Sequence, residues 1–288
     1  MNMQVTPELV EWLQEQITRG CQPEAMVQSM IKSGYEQTFA RQIINASFAS
    51  VETIIGRRPG VVSGANLDQT VQINTLGLEG NIIKTSDREV RVLLSLASPR
   101  IVLFGNVLSD AECEQMIELS SSKMERAHVV DSEKGGTRID EARTSDGAGF
   151  QRGEHPLFVT IEKRLSELVG WPVENGEGLQ VLHYSVGGEY KPHFDYFDPN
   201  KSGEAAQLNR GGQRIATIVM YLNDVQAGGE TIFPSVGLQT MPQKGSAVYF
   251  AYAGLDGSLD ARSLHGGAPV IRGEKWIATK WLRQHAYV

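Results

Sequence analysis

The chain has 288 residues, 41% of them hydrophobic, and a formal net charge of -7. That length buries a sizeable core in one large domain with room for an accessory segment. The acidic balance excludes non-specific nucleic-acid binding as the main task, and no apolar run approaches the roughly 18 residues a membrane helix needs.

The N-terminal residues Met1 to Pro7 lack the basic start and apolar run of a secretory signal. The only cysteines, Cys21 and Cys113, make no disulfide framework, so a cytoplasmic location is expected. Thr6-Pro7-Glu8 opens a helix that carries Leu9, Leu13 and Ile17 on one face and stops at Gly20. A second helix runs from Pro23 through Met26, Val27, Met30 and Ile31 to Gly34, and a third carries Phe39, Ile43 and Ile44. Residues 1–55 therefore read as a small helical segment, either a packing appendage or a dock for a partner. Residues 56–98 read as a linker region, with a strand at Val71–Leu78 and a helix at Asp87–Leu96.

Pro99 marks the start of the main domain, 99–288. Ile101–Phe104 is a strand run, and Ser109-Asp110-Ala111-Glu112 caps a helix through Met116, Ile117 and Leu119. A second amphipathic helix is expected over 156–169, where Phe158, Ile161, Leu165 and Leu168 recur at helical spacing. After Trp171 the pattern is strand, turn, strand: Leu179–Tyr184, Arg214–Leu222, Ser246–Phe250, His265–Val270 and Lys275–Leu282, punctuated by glycine pairs. Many short strands with glycine-rich turns indicate a sandwich or barrel, with the two helices covering one outer face, an α+β architecture. The polar stretch Asp198–Arg210 reads as a solvated surface loop or, alternatively, a lid.

Pro192-His193-Phe194-Asp195 places an imidazole and a carboxylate at i and i+2, on one face of an extended segment. Some seventy residues on, Ser263-Leu264-His265-Gly266-Gly267 supplies a second imidazole. Two histidines and one carboxylate on one face of a metal leave positions open, which suits Fe(II) that must bind a cosubstrate and dioxygen together. Lys275 lies ten positions beyond His265, across a hairpin turning at Ile271-Arg272-Gly273. Alternation puts Lys275, Ile277, Thr279 and Trp281 on one face of the returning strand. A lysine among such neighbours is costly to bury without an anion, and the far carboxylate of 2-oxoglutarate would supply one. Lys280 falls on the opposite face and is expected to be solvent-exposed.

From Pro99 to Trp281 the sequence resembles the prolyl 4-hydroxylase branch of the Fe(II)/2-oxoglutarate dioxygenases. The resemblance is carried by Ala142-Arg143-Thr144-Ser145, Tyr184–Tyr190, Pro192–Phe197, Gly211–Thr217, Tyr221–Val225, Gly228–Pro234, Pro242–Gly245 and the Ser263–Trp281 block, in the expected order. It implies a double-stranded β-helix (jelly roll) with supporting helices, His193, Asp195 and His265 as iron ligands, and Lys275 on the C5 carboxylate of 2-oxoglutarate. It further implies that Tyr184 and Thr231 help hold that carboxylate, and that Tyr190, Arg214 and Trp281 form a peptide-proline subsite. The reaction implied is hydroxylation of peptidyl proline by dioxygen with release of succinate and carbon dioxide, ascorbate keeping the metal reduced. The carboxylate at Asp195 disfavours halogenation, which needs that ligand position vacant. The helical N-terminal segment departs from the collagen-modifying relatives. Two alternatives stay open: an oxygenase of another amino acid or small metabolite, and a silent metal-binding interaction module.

Overall fold

The computed structural model describes residues 9, 12, 16, 23–37, 40, 41 and 44 near the N-terminus, then 81–130, 136–253 and 258–288. The chain divides into two compact units, Met1–Asn66 and Leu67–Val288. In the first, α1 (Pro23–Lys32) is followed by Gly34 at φ 88, a left-handed conformation that glycine adopts without penalty. Leu9, Met26, Val27, Met30, Ala40 and Ile44 form a small buried cluster against Trp12, Ile31 and Tyr35. The strand expected at Val71–Leu78 lies outside the described residues. No helix among those described is long and apolar enough to cross a membrane.

The second unit is built on a nine-stranded antiparallel sheet. Its spatial order is β1 (Ile82–Lys84), β2 (Glu89–Leu96), β3 (Ile101–Gly105), β14 (Ala247–Ala251), β10 (Arg214–Tyr221), β17 (Lys275–Arg283), β8 (Gly176–Tyr184), β7 (Asp146–Phe150) and β4 (Glu125–Arg126). A smaller sheet runs β13 (Leu238–Thr240), β12 (Thr231–Phe233), β15 (His265–Gly267), β9 (Tyr190–His193). Two short ribbons complete it, β5 (His128–Val130) with β6 (Thr137–Ile139) and β11 (Ala227–Gly228) with β16 (Val270–Arg272). This is the double-stranded β-helix.

Over the central strands both faces of the large sheet are covered. On one lie α2 (Asp110–Ser121) and α3 (Pro156–Val169), and Cys113, Met116, Phe158, Ile161 and Leu165 share a core with Val181, Ile218, Ala278 and Leu282. On the other, Leu182, Tyr184, Val219, Tyr221, Phe250 and Ile277 pack with Phe233 of the small sheet. The helices start where the sequence says. Ser109 and Glu112 exchange both capping-box hydrogen bonds at 3.2 and 2.7 Å, and α3 opens on Pro156 and ends on Gly170 at φ 64.

Four expectations are corrected. Asp87–Leu96 is no helix: it contributes β2, so 82–96 belongs to the large sheet rather than to a linker. A register shift between Val92 and Leu94 breaks the period-2 alternation, which lends the apolar residues a helix-like spacing. The stretch 198–210 is not an open loop but contains α4 (Ser202–Leu208), whose Gln207 carbonyl accepts from Arg283. His265 and Lys275 do not flank a hairpin, because β15 joins the small sheet and β17 the large one. Finally, Lys280 is buried, with its ammonium on the Glu162 carboxylate.

Candidate active site

The strand pairing assembles three polar side chains from distant parts of the chain. His193 ends β9 and pairs in register with His265 at the head of β15, with ring centroids 4.4 Å apart. Gly266 permits that approach: a Cβ there would meet the Tyr190 carbonyl at 2.8 Å and Pro192 N at 3.1 Å. Asp195 follows two residues after His193 and turns its carboxylate between the two rings, 3.6 Å from His193 Nε2 and 3.5 Å from His265 Nε2. One ligand atom from each residue falls within 4.8 Å of the others.

The donor set fits a metal. The Nδ1 atoms of His193 and His265 hydrogen-bond the carbonyls of Lys191 and Ser263, at 2.9 and 3.1 Å. Each Nδ1 is thereby fixed as the protonated nitrogen, and both Nε2 lone pairs converge on the gap beside Asp195. Burial, helped by neighbouring His193, pushes His265 down to about 4. Burial pushes Asp195 up, but the two imidazoles outweigh it and hold the carboxyl well below its usual range. Neutral imidazole and ionised carboxylate are the forms that bind a divalent ion. Two nitrogens and one oxygen on one side of the gap are the facial set of a non-haem Fe(II) oxygenase.

The trio opens into a cavity of about 430 Å³ whose far wall carries Lys275, Thr231 and Tyr184. Lys275 is 2% exposed and has no hydrogen bond or ion pair among the described residues. Burial lowers its pKa to about 8, with Glu230 opposing from a distance. Its ammonium stands 5.4 Å above the Tyr184 ring, the residue paired with it across β8. Tyr221 OH donates to Thr231 Oγ1 and also meets Thr240 Oγ1, both at 2.7 Å. The Thr231 proton is thus free to point into the cavity. A cradle of one unpaired cation and one free hydroxyl donor matches a carboxylate.

The remaining expected residues line the same cavity. Tyr190 stacks on His193 at 3.6 Å between ring centroids, and Arg143 covers the other face of Tyr190 at 4.9 Å. Arg214 lies 4.1 Å over the Trp281 ring, but its guanidinium is held bidentately by Glu177 at 2.6 and 2.9 Å. The Trp281 indole N–H points at Asp195 Oδ2, 3.0 Å away. Sequence reasoning gave no role to Arg143, Glu177, Thr217, Tyr221 or Tyr252. The available signal was a polar residue interrupting an apolar run, as Thr217 does in β10, which is buried from Ile215 to Tyr221.

Comparison with known proteins agrees with this chemistry. A model of the 2OG-Fe(II) oxygenase superfamily matches residues 179–283, which hold the three polar ligands and Lys275. Prolyl 4-hydroxylase 5 of Arabidopsis thaliana is 43% identical over 208 residues, covering 66% of this chain and 70% of the relative. Probable prolyl 4-hydroxylase 10 of the same plant is 40% identical over 244 residues, 78% of this chain and 82% of the relative. The crystal structure of a viral collagen prolyl hydroxylase from Paramecium Bursaria Chlorella virus-1, in its 2OG complex, superimposes with a TM-score of 0.51 at 29% identity. That match covers 64% of this chain and 95% of the viral one. Fold, donor set and family model define a 2OG-Fe(II)-dependent dioxygenase. Within that class, the chain belongs to the prolyl 4-hydroxylase family.

Proposed function

We propose that this dioxygenase hydroxylates peptidyl proline, with His193, Asp195 and His265 holding Fe(II) and Lys275 binding the distal carboxylate of 2-oxoglutarate. The observation that carries the cosubstrate assignment is the unpaired, buried ammonium of Lys275 in the wall of the cavity that the three ligands face. Thr231 donates a hydrogen bond to the same carboxylate, and Tyr184 walls the pocket and holds water away from it. When bound, iron with 2-oxoglutarate and dioxygen would supply oxidative decarboxylation: carbon dioxide leaves, one oxygen atom enters succinate, and the other is left at the metal gap to oxidise an unactivated C–H bond.

The chain's own task is to position and shield. Tyr190, stacked on His193, offers a flat apolar surface beside the metal gap, and the Arg214–Trp281 stack forms the adjoining wall. A pyrrolidine ring is apolar and flat enough to lie against them. The names of the plant and viral relatives support proline as the target. Ascorbate, as a reductant of oxidised iron, and a reducing cytoplasmic setting belong to the same proposal.

The test is incubation of the protein with Fe(II), 2-oxoglutarate, ascorbate and X-Pro peptides, followed by succinate assay and peptide mass spectrometry. Peptide-dependent succinate release with a gain of one oxygen on proline is expected. Oxygen gained on another residue, or succinate release that ignores every peptide but responds to a free metabolite, would overturn proline as the target.

A further inference from the structure

The two oxygens of Asp195 are nearly equidistant from the imidazoles: Oδ1 is 3.6 Å from His193 Nε2 and Oδ2 is 3.5 Å from His265 Nε2. Distance alone therefore does not decide which oxygen faces a metal. Hydrogen bonding does. Oδ2 accepts from Thr217 Oγ1 at 2.6 Å and from Trp281 Nε1 at 3.0 Å, which uses both in-plane lone pairs of that oxygen. Among the described residues, no such donor is aimed at Oδ1 from outside the imidazole pair.

The two donors arrive together because Thr217 and Trp281 are register partners across β10 and β17. Thr217 is itself constrained. It is fully buried, and its Oγ1 lies 2.9 Å from the hydroxyl of Tyr252, also buried. Thr217 Oγ1 donates to Oδ2, which uses its single proton. Tyr252 must then give its own proton to Thr217. The chain Tyr252 to Thr217 to Asp195 has one direction and no spare proton.

We infer that Thr217, backed by Tyr252, is a positioning residue that reserves Asp195 Oδ2 for hydrogen bonding and leaves Oδ1 as the atom presented to the metal. Partners of this kind around metal-binding side chains typically change metal affinity by about 10–100-fold when lost. The inference rests on the metal assignment above and is independent of which substrate is hydroxylated.

The test uses the full chain without peptide and Mn(II), a redox-inert probe of the site, titrated while the free ion is followed by electron paramagnetic resonance. Thr217→Val keeps the shape and removes the proton; it should weaken Mn(II) binding by roughly 10–100-fold. Thr217→Ser should restore it to about wild type, which a purely packing role for the threonine methyl would not allow. Tyr252→Phe should cost less, and adding it to Thr217→Val should cost nothing more, because it acts only through Thr217. Should Thr217→Val fail to fold, Tyr252→Phe and Thr217→Ser alone still decide the matter: a weakened Tyr252→Phe beside an unimpaired Thr217→Ser supports the relay. Wild-type affinity in Tyr252→Phe and Thr217→Val, failure of Thr217→Ser to restore, or simple additivity would each overturn it. A wild-type protein that binds no Mn(II) would instead overturn the metal assignment, leaving the two failures distinguishable.

Discussion

Strand β17 carries two buried lysines five positions apart, on opposite faces, and their surroundings differ completely. Lys280 faces the helices, is 3% exposed, and is met by the Glu162 carboxylate of α3 and the Glu177 carbonyl. Lys275 faces the cavity, is 2% exposed, and meets no acceptor among the described residues. Burial of an ammonium is costly unless an anion shares it. For Lys280 the protein supplies that anion, so the residue reads as structural. For Lys275 the described residues supply no such anion, which is the ground on which we propose it as the binding group for the cosubstrate carboxylate. Burial alone does not separate the two; the presence or absence of a built-in counter-charge does.

The largest effect should come from removing the satisfied lysine. Lys280→Met strands the Glu162 carboxylate in the helix-side core and should cost about 3–5 kcal/mol, measured by chemical denaturation of the metal-free protein. Lys275→Met should act in the opposite direction on stability. It removes an unpartnered buried donor whose cost is roughly 1–3 kcal/mol, so the metal-free protein should become more stable. Equal destabilisation in the two variants would erase the contrast.

The next effect is on the cosubstrate. A charge-assisted hydrogen bond in a shielded site is worth roughly 1.5–3 kcal/mol, so Lys275→Ala should weaken 2-oxoglutarate binding by about one to two orders of magnitude. Metal affinity should change little. Lys275→Arg should recover only part of the loss, since a planar guanidinium does not fit the space of an ammonium. Unaltered dependence on 2-oxoglutarate in Lys275→Ala would contradict the proposed carboxylate site.

pH offers a milder probe of the same residue. The charged ammonium is the form that binds a carboxylate, and burial has lowered its pKa from 10.5 to about 8. Affinity for 2-oxoglutarate should therefore be flat below pH 8 and fall above it, by up to about tenfold per unit. Lys275→Arg, always charged, should show no such fall. The smallest effect is expected from Lys280→Met combined with Glu162→Leu: replacing both members of a buried pair by apolar groups is often close to neutral, and the double variant should regain most of the stability lost by the single one.

Much of the site was legible locally. His193 and Asp195 share a face because residues two apart in an extended segment always do, and Lys275, Ile277, Thr279 and Trp281 line the cavity for the same reason. The capping box at Ser109 and the proline and glycine ends of α3 are likewise short-range signals, satisfied within a few residues. Alternation, however, states only that Lys280 lies opposite Lys275, not what covers it. The rule that polar residues face water holds for a sheet with one wet face, and here α3 lies over the second face and delivers Glu162 from 118 positions away. The same limit hid β2, whose alternation is broken by a register shift against β3. It also hid the Thr217–Asp195 contact, which exists only because β10 and β17 lie side by side beneath the loop after β9. Backbone periodicity fixed which residues point the same way; the closing of the two sheets and the helices over them decided what each one touches.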